Sequence, residues 1–179
     1  MGHVIFIAGI HGVGKSTLCK SVIDPMGVKH LTASKIIKKY RQVQIENKTK
    51  YAANIDENQI ILIEGLHQES IDEAVTVLDG HFALLNEQGD IIAIDTTIFS
   101  QLSLSAIALI IDEPAKIEDR LLSRDGKGYG VNRLSKMQDI EFQQAKEVAH
   151  ALDIPLLTID FRTEEDPSST LAKFLSTYM

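Results

Sequence analysis

Residues Gly9 to Thr17 read Gly-Ile-His-Gly-Val-Gly-Lys-Ser-Thr and satisfy the spacing G-x-x-x-x-G-K-[ST] at every fixed position. No other stretch restricts the fold as tightly, because a phosphate-binding loop works only between a strand and a helix. Both flanks comply. His3 to Ala8 is an apolar, β-branched run, and Ser16 to Val22 is compatible with a helix. Gly9, Gly12 and Gly14 open backbone conformations closed to residues with a Cβ, so the N–H groups of Gly12 to Thr17, Val13 among them, can converge on phosphate oxygens. Lys15 adds a mobile positive charge, and the Ser16 hydroxyl suits Mg²⁺. The helix dipole points its positive end at the anion. His11, inside the loop, reads as a solvent-facing position.

The chain has 179 residues, which fits one α/β domain with a sizeable core, residues 1–179. A net charge of −7 argues against a general binder of nucleic acid or of anionic membranes. Cys19 is the single cysteine, so an internal disulfide is excluded. No run is long enough to span a bilayer, and no charged leader precedes the first apolar stretch. The expectation is a cytoplasmic protein.

Asp24-Pro25-Met26-Gly27 reads as a helix stop, Val28 to Leu31 as a second strand, and Thr32 to about Tyr40 as a helix. Between Lys35 and Lys50 the basic residues Lys35, Lys38, Lys39, Arg41, Lys48 and Lys50 face Glu46 as the one acid, which marks an electropositive wall for a phosphate-bearing acceptor or an ordinary solvated face. Asp56 to Ala74 carries a helical stripe with an expected break near Gly65, and Glu64, His67 and Gln68 lie on it. Val75 to Asp79 is an apolar strand ending in a carboxylate, a placement that suits support of a Mg²⁺-bound water. His81 follows two residues later and suits orientation of a water or a substrate hydroxyl. A β-hairpin is expected over about 82–94, a short helix at Thr96 to Leu102, and a central strand at Ala106 to Ile111. Arg120 and Arg124 share a face of the helix that starts near Pro114. Residues 124–133 contain Gly126, Gly128 and Gly130 and end at Arg133, which fits a short lid carrying charge to a transferring phosphoryl group.

With these residues in place, the chain resembles the adenylate kinase-like group of nucleoside monophosphate kinases, most strongly at Gly9 to Thr17 and less so at Ile117 to Arg124. In its Asp79-x-His81 pattern it is similar to the archaeal-type and nuclear adenylate kinases. The resemblance implies a P-loop kinase fold whose parallel sheet has the order 2-3-1-4-5, with helices on both faces and the hairpin as an insertion. It implies ATP and Mg²⁺, Arg120 stacked on adenine, Arg124 and Arg133 on phosphates, and an acceptor region of helices at about 33–73 in which Lys38 stands where the family has an arginine. The implied reaction is phosphoryl transfer from Mg-ATP to a nucleoside monophosphate, AMP first, by a monomer. A kinase for a small-metabolite or nucleoside hydroxyl is the alternative from the same donor site, and an ATPase switch acting on a protein partner is the alternative from another class.

Overall fold

The computed structural model describes residues 2–47, 57–86 and 88–179, with the backbone alone for 42–47. Lys48 and Lys50 of the basic stretch lie outside the described residues, as does the expected helix start at Asp56.

The first strand, β1 (His3–Ala8), alternates its side chains between two cores, as the period of two requires. Ile5 and Ile7 face one side with α1 (Lys15–Met26), while Val4, Phe6 and Ala8 face the other. After α1 come β2 (Lys29–Thr32), α2 (Ala33–Asn47), α3 (Glu57–Ser70) and β3 (Val75–Asp79). A separate antiparallel pair, β4 (Ala83–Leu85) and β5 (Ile91–Ala93), precedes α4 (Thr96–Gln101) and β6 (Leu104–Ile111). The chain then runs through α5 (Pro114–Asp125), α6 (Val131–Leu152), β7 (Leu156–Asp160) and α7 (Pro167–Ser176).

The main sheet is parallel in order β2-β3-β1-β6-β7. With the hairpin set aside, that is the expected 2-3-1-4-5. Buried β1, β3 and β6 occupy its middle, in keeping with their almost uninterrupted apolar character. Helices α1 and α7 cover one face, whereas α2, α3, α4 and the C-terminal half of α6 cover the other. Because parallel strands all end on the same side, Ala8, Thr32, Asp79 and Ile111 reach one edge of the sheet, where ligands of open α/β folds bind.

One expected helix end holds and one expected break is corrected. Pro25 lies inside α1, and the helix ends two residues later at Gly27, whose φ of 67° suits a left-handed cap. A proline so close to the C-terminus removes one hydrogen bond from a turn that is already ending. Gly65 does not break α3. A Cβ there would stand 2.4 Å from Ile36 Cγ2 and 2.8 Å from Tyr40 Cδ2, so glycine lets α2 and α3 approach closely.

Candidate active site

The phosphate-binding loop leaves β1 at Ala8 and enters α1 at Lys15. Gly12 has φ +81°, and a Cβ on it would lie 2.7 Å from Leu121 Cγ, so the loop is both left-handed here and pressed against α5. Its residues 10–17 line a cavity of about 710 Å³, with Thr32, Ala33 and Ser34 on one side, Asp79 to His81 at the end of β3, and Asp119, Arg120, Ser123 and Arg124 from α5.

Lys15 is 7% exposed, and its ammonium donates to the Gly9 carbonyl at 2.6 Å while standing 3.7 Å from Asp79 Oδ1. Burial lowers its pKa, and the Asp79 and Glu141 carboxylates oppose that shift. Asp79, itself buried, therefore meets Lys15 directly. Asp79 and the exposed Ser16 are two oxygen donors lining the same cavity, a donor set that fits Mg²⁺ with water completing its shell. The main-chain loop, Lys15 and the α5 arginines together fit a triphosphate.

His81 is brought to the loop from the end of β3. Its Nδ1 lies 2.7 Å from the Gly9 carbonyl oxygen, which can only accept, so Nδ1 carries a proton and Nε2 is the basic nitrogen of the neutral ring. Glu141, from α6, is 1% exposed; its Oε2 accepts from the Phe82 N–H at 2.7 Å, and its Oε1 is 3.6 Å from His81 Nδ1 with no hydrogen-bond partner. The buried Glu141 carboxylate thus ties α6 to the hairpin and borders the His81 ring. Sequence reasoning missed Glu141. It sits 62 residues beyond Asp79 on a helix of ordinary composition, and only the packing of α6 behind the hairpin reveals it.

Arg120 donates to the carbonyls of Val13 (3.1 Å) and Gly12 (3.5 Å) and pairs with buried Asp112 at 2.5 Å. Its guanidinium is thus fixed at the edge of the loop. Arg124 pairs with Asp125 at 2.6 Å; His11 is exposed, as expected, and also meets the site, since the Arg124 guanidinium donates to His11 Nε2 at 2.9 Å and the His11 ring lies 6.2 Å from that of His81. Partial burial, then the Arg124 charge, the His81 ring and the Lys15 ammonium, lower the His11 pKa from 6.5.

Two expected contacts stand apart. Arg133 is exposed on the first turn of α6, with its Nη1 near Gly89 of the hairpin turn, and it does not line the cavity. The connection 126–130 is held down, because the Glu118 carboxylate accepts from Tyr129 N–H (2.9 Å) and Gly130 N–H (3.0 Å), which points Arg133 away. Lys38 is exposed one turn beyond Ser34 on α2, and the cavity wall is made instead by Thr32, Ala33 and Ser34. The neighbouring bases are partly committed: Lys39 pairs with Glu69, and Arg41 bonds Asn58.

Among the described residues, no helix is long and apolar enough to cross a membrane. Solved structures share the fold over nearly their full length. A gluconokinase from Sinorhizobium meliloti 1021 aligns with a TM-score of 0.54 at 12% identity, covering 98% of this chain and 96% of that one. TT1252 from Thermus thermophilus gives 0.53 at 14% identity, covering 99% and 98%. A shikimate kinase from Bacteroides thetaiotaomicron gives 0.51 at 16% identity, covering 98% and 96%. No curated protein matches the chain. The profile of a family described as an AAA domain matches residues 8–138, from the end of β1 into α6, and so takes in the loop, Asp79, His81 and both α5 arginines. The chain belongs to this AAA domain family.

Proposed function

We propose that the protein is a phosphotransferase that moves the γ-phosphoryl group of Mg-ATP to a small acceptor. The observation that carries this reading is the convergence of Lys15, Ser16, Asp79, Arg120 and Arg124 on one cavity at the end of the parallel sheet. Ser16 and, through water, Asp79 would hold Mg²⁺, which would supply charge neutralisation at the donor phosphates. Lys15 and the loop N–H groups position those phosphates. Arg124 meets the charge that spreads over the transferring group, while Arg120 borders the donor nucleotide. Arg133 joins them only after the connection 126–130 moves. Positioning and electrostatics then account for most of the rate. Two of the three fold neighbours are named as kinases, which supports the reaction class.

For the acceptor, the resemblance to nucleoside monophosphate kinases favours AMP, with Lys38 and the basic face of α2 as its phosphate anchor. A hydroxyl acceptor is the second reading. It is favoured by His81, whose Nδ1 is committed to Gly9 while its Nε2 stays basic, and by Glu141 behind it. A phosphate oxygen attacks without a base; a hydroxyl benefits from one.

The test is product formation from Mg-ATP with a panel of nucleoside monophosphates, with neutral hydroxyl compounds and with ATP alone, using Lys15→Ala as the blank. ADP from AMP supports the first reading, and a raised AMP KM in Lys38→Ala ties α2 to the acceptor. Transfer to hydroxyl compounds supports the second. ATP turnover indifferent to every small acceptor, but stimulated by a protein partner, would replace both with an ATPase switch.

A further inference from the structure

A second cavity, of about 250 Å³, opens beside the first. Its walls are Leu84 and Leu85 of β4, Leu121 of α5, Tyr129 of the α5–α6 connection, and Leu134 and Met137 of α6. His11 and His81 line both spaces, so the two cavities meet at these rings. Among the described residues no Asp, Glu, Lys or Arg lines the smaller one, so those residues offer a phosphate no counter-charge beyond the two histidines. Its volume lies just below the range of about 300–1,000 Å³ that holds a drug-sized ligand, which leaves room for one ring with short substituents. The hairpin that makes one wall is outside the main sheet. It is fastened to α6 by Glu141, through Phe82 N–H, and by Gln144, which donates to the Ile94 carbonyl at 2.6 Å.

We infer that this cavity is the acceptor's body-binding subsite, and that the acceptor is a neutral molecule carrying a hydroxyl on an apolar, ring-sized body. The inference rests on the hydroxyl-acceptor reading of the site. The ring sits under the hairpin, and the hydroxyl lies at His81, at the junction with the phosphate cavity. His81 Nε2 takes the hydroxyl proton as the oxygen's lone pair forms a bond to the γ-phosphorus. The bond between that phosphorus and the β–γ bridging oxygen breaks, and its electron pair leaves on ADP. The products are a phosphate monoester, ADP and one proton, which His81 releases to solvent. Glu141 is a positioning residue that fastens the hairpin through Phe82 N–H and sets its second carboxylate oxygen 3.6 Å from His81 Nδ1.

The test uses benzyl alcohol as the probe, with glycerol and AMP beside it. Saturation-transfer NMR reads binding in the presence of a non-hydrolysable Mg-ATP analogue, and ³¹P NMR reads the ester. Benzyl alcohol is expected to bind and to be phosphorylated with a kcat/KM about tenfold or more above that of glycerol, which lacks the apolar body. Leu84→Trp, at a half-exposed strand position that tolerates bulk without disturbing the core, is expected to raise the benzyl alcohol KM by a similar factor. His81→Asn keeps an N–H for the Gly9 carbonyl and loses Nε2; it should abolish ester formation while the probe still binds. Equal use of glycerol and benzyl alcohol, an unchanged KM in Leu84→Trp, or AMP turnover without probe binding would overturn the subsite and leave the phosphotransferase intact. Failure to bind the ATP analogue at all would overturn both.

Discussion

Replacing Arg120 by alanine tests the wiring of the donor side. Asp112 is 1% exposed and keeps two hydrogen-bond relations through its carboxylate: it accepts from Glu113 N–H at 2.8 Å and pairs with Arg120 at 2.5 Å. Arg120→Ala leaves a buried carboxylate with a single donor. Removing one partner of a fully buried pair costs about 3–5 kcal/mol, and an exposed pair is worth about 0–1 kcal/mol. The Arg120 side chain is 43% exposed, so water can reach the vacated position and the cost falls between these limits, at about 2 kcal/mol. For a chain of this size that is a fall in Tm of roughly 4–8 °C. The assay is a thermodynamic cycle by urea unfolding over wild type, Arg120→Ala, Asp112→Asn and the double variant. The amide that replaces the Asp112 carboxylate in the double variant is uncharged and can still accept from Glu113 N–H, so it should recover at least half of the Arg120→Ala loss. Nucleotide affinity should fall in Arg120→Ala and stay low in the double variant, because the guanidinium also borders the nucleotide cavity. A loss below about 0.5 kcal/mol, or no recovery in the double variant, would refute the assignment of Asp112 as a buried charge held by Arg120.

Lys15→Ala should lower phosphoryl transfer by about 10²-fold or more, since it removes the cation nearest the phosphates; a smaller loss under saturating ATP would sink the role given to Lys15. Gly65→Ala forces a methyl against Ile36 and Tyr40, and its overpacking cost of about 1–3 kcal/mol should outweigh the roughly 1 kcal/mol gained in helix propensity, so the urea midpoint falls; a higher midpoint would contradict the close approach of α2 and α3. His11 has a folded pKa below 6.5, so as pH falls through 6.5 the unfolded chain takes the proton first and stability drops until the folded pKa is passed. Unfolding measured between about pH 7.5 and 5.5 should therefore show a steeper loss in wild type than in His11→Gln, and parallel curves would show that His11 is not the group responsible.

Much of this arrangement is legible in the residues themselves because the signals are local. The loop spacing, the apolar runs at 3–8, 75–79 and 106–111, and the Asn86 to Gly89 turn place β1, β3, β6 and the hairpin within a residue or two. Asp79, His81, Arg120 and Arg124 reach the cavity for the same reason, since each ends a strand or lies one helical turn from its neighbour. What stayed hidden depends on packing between distant segments. Gly65 looks like a helix breaker until Ile36 is seen against it, and nothing local ties the exposed His11 to Arg124 of α5. Glu141 belongs to this class. Lys38 and Arg133 do not line the cavity: Lys38 is exposed a turn beyond Ser34, and Arg133 lies beside Gly89 of the hairpin turn.

The hairpin's detachment from the main sheet has a consequence for how such a protein changes. Among the described residues its two strands pair only with each other, and its hydrogen bonds to α6 use the N–H of Phe82 and the carbonyl of Ile94, at its two ends. Main-chain fastenings ignore the side chains between them. Leu84 and Ile92, both exposed, can therefore be exchanged together, as one replaceable cassette, without altering a single rung of the sheet that carries the phosphate loop, whereas Leu85 packs on the core. A library restricted to those two positions would vary the hairpin's outer surface while holding constant the sheet and the loop behind it.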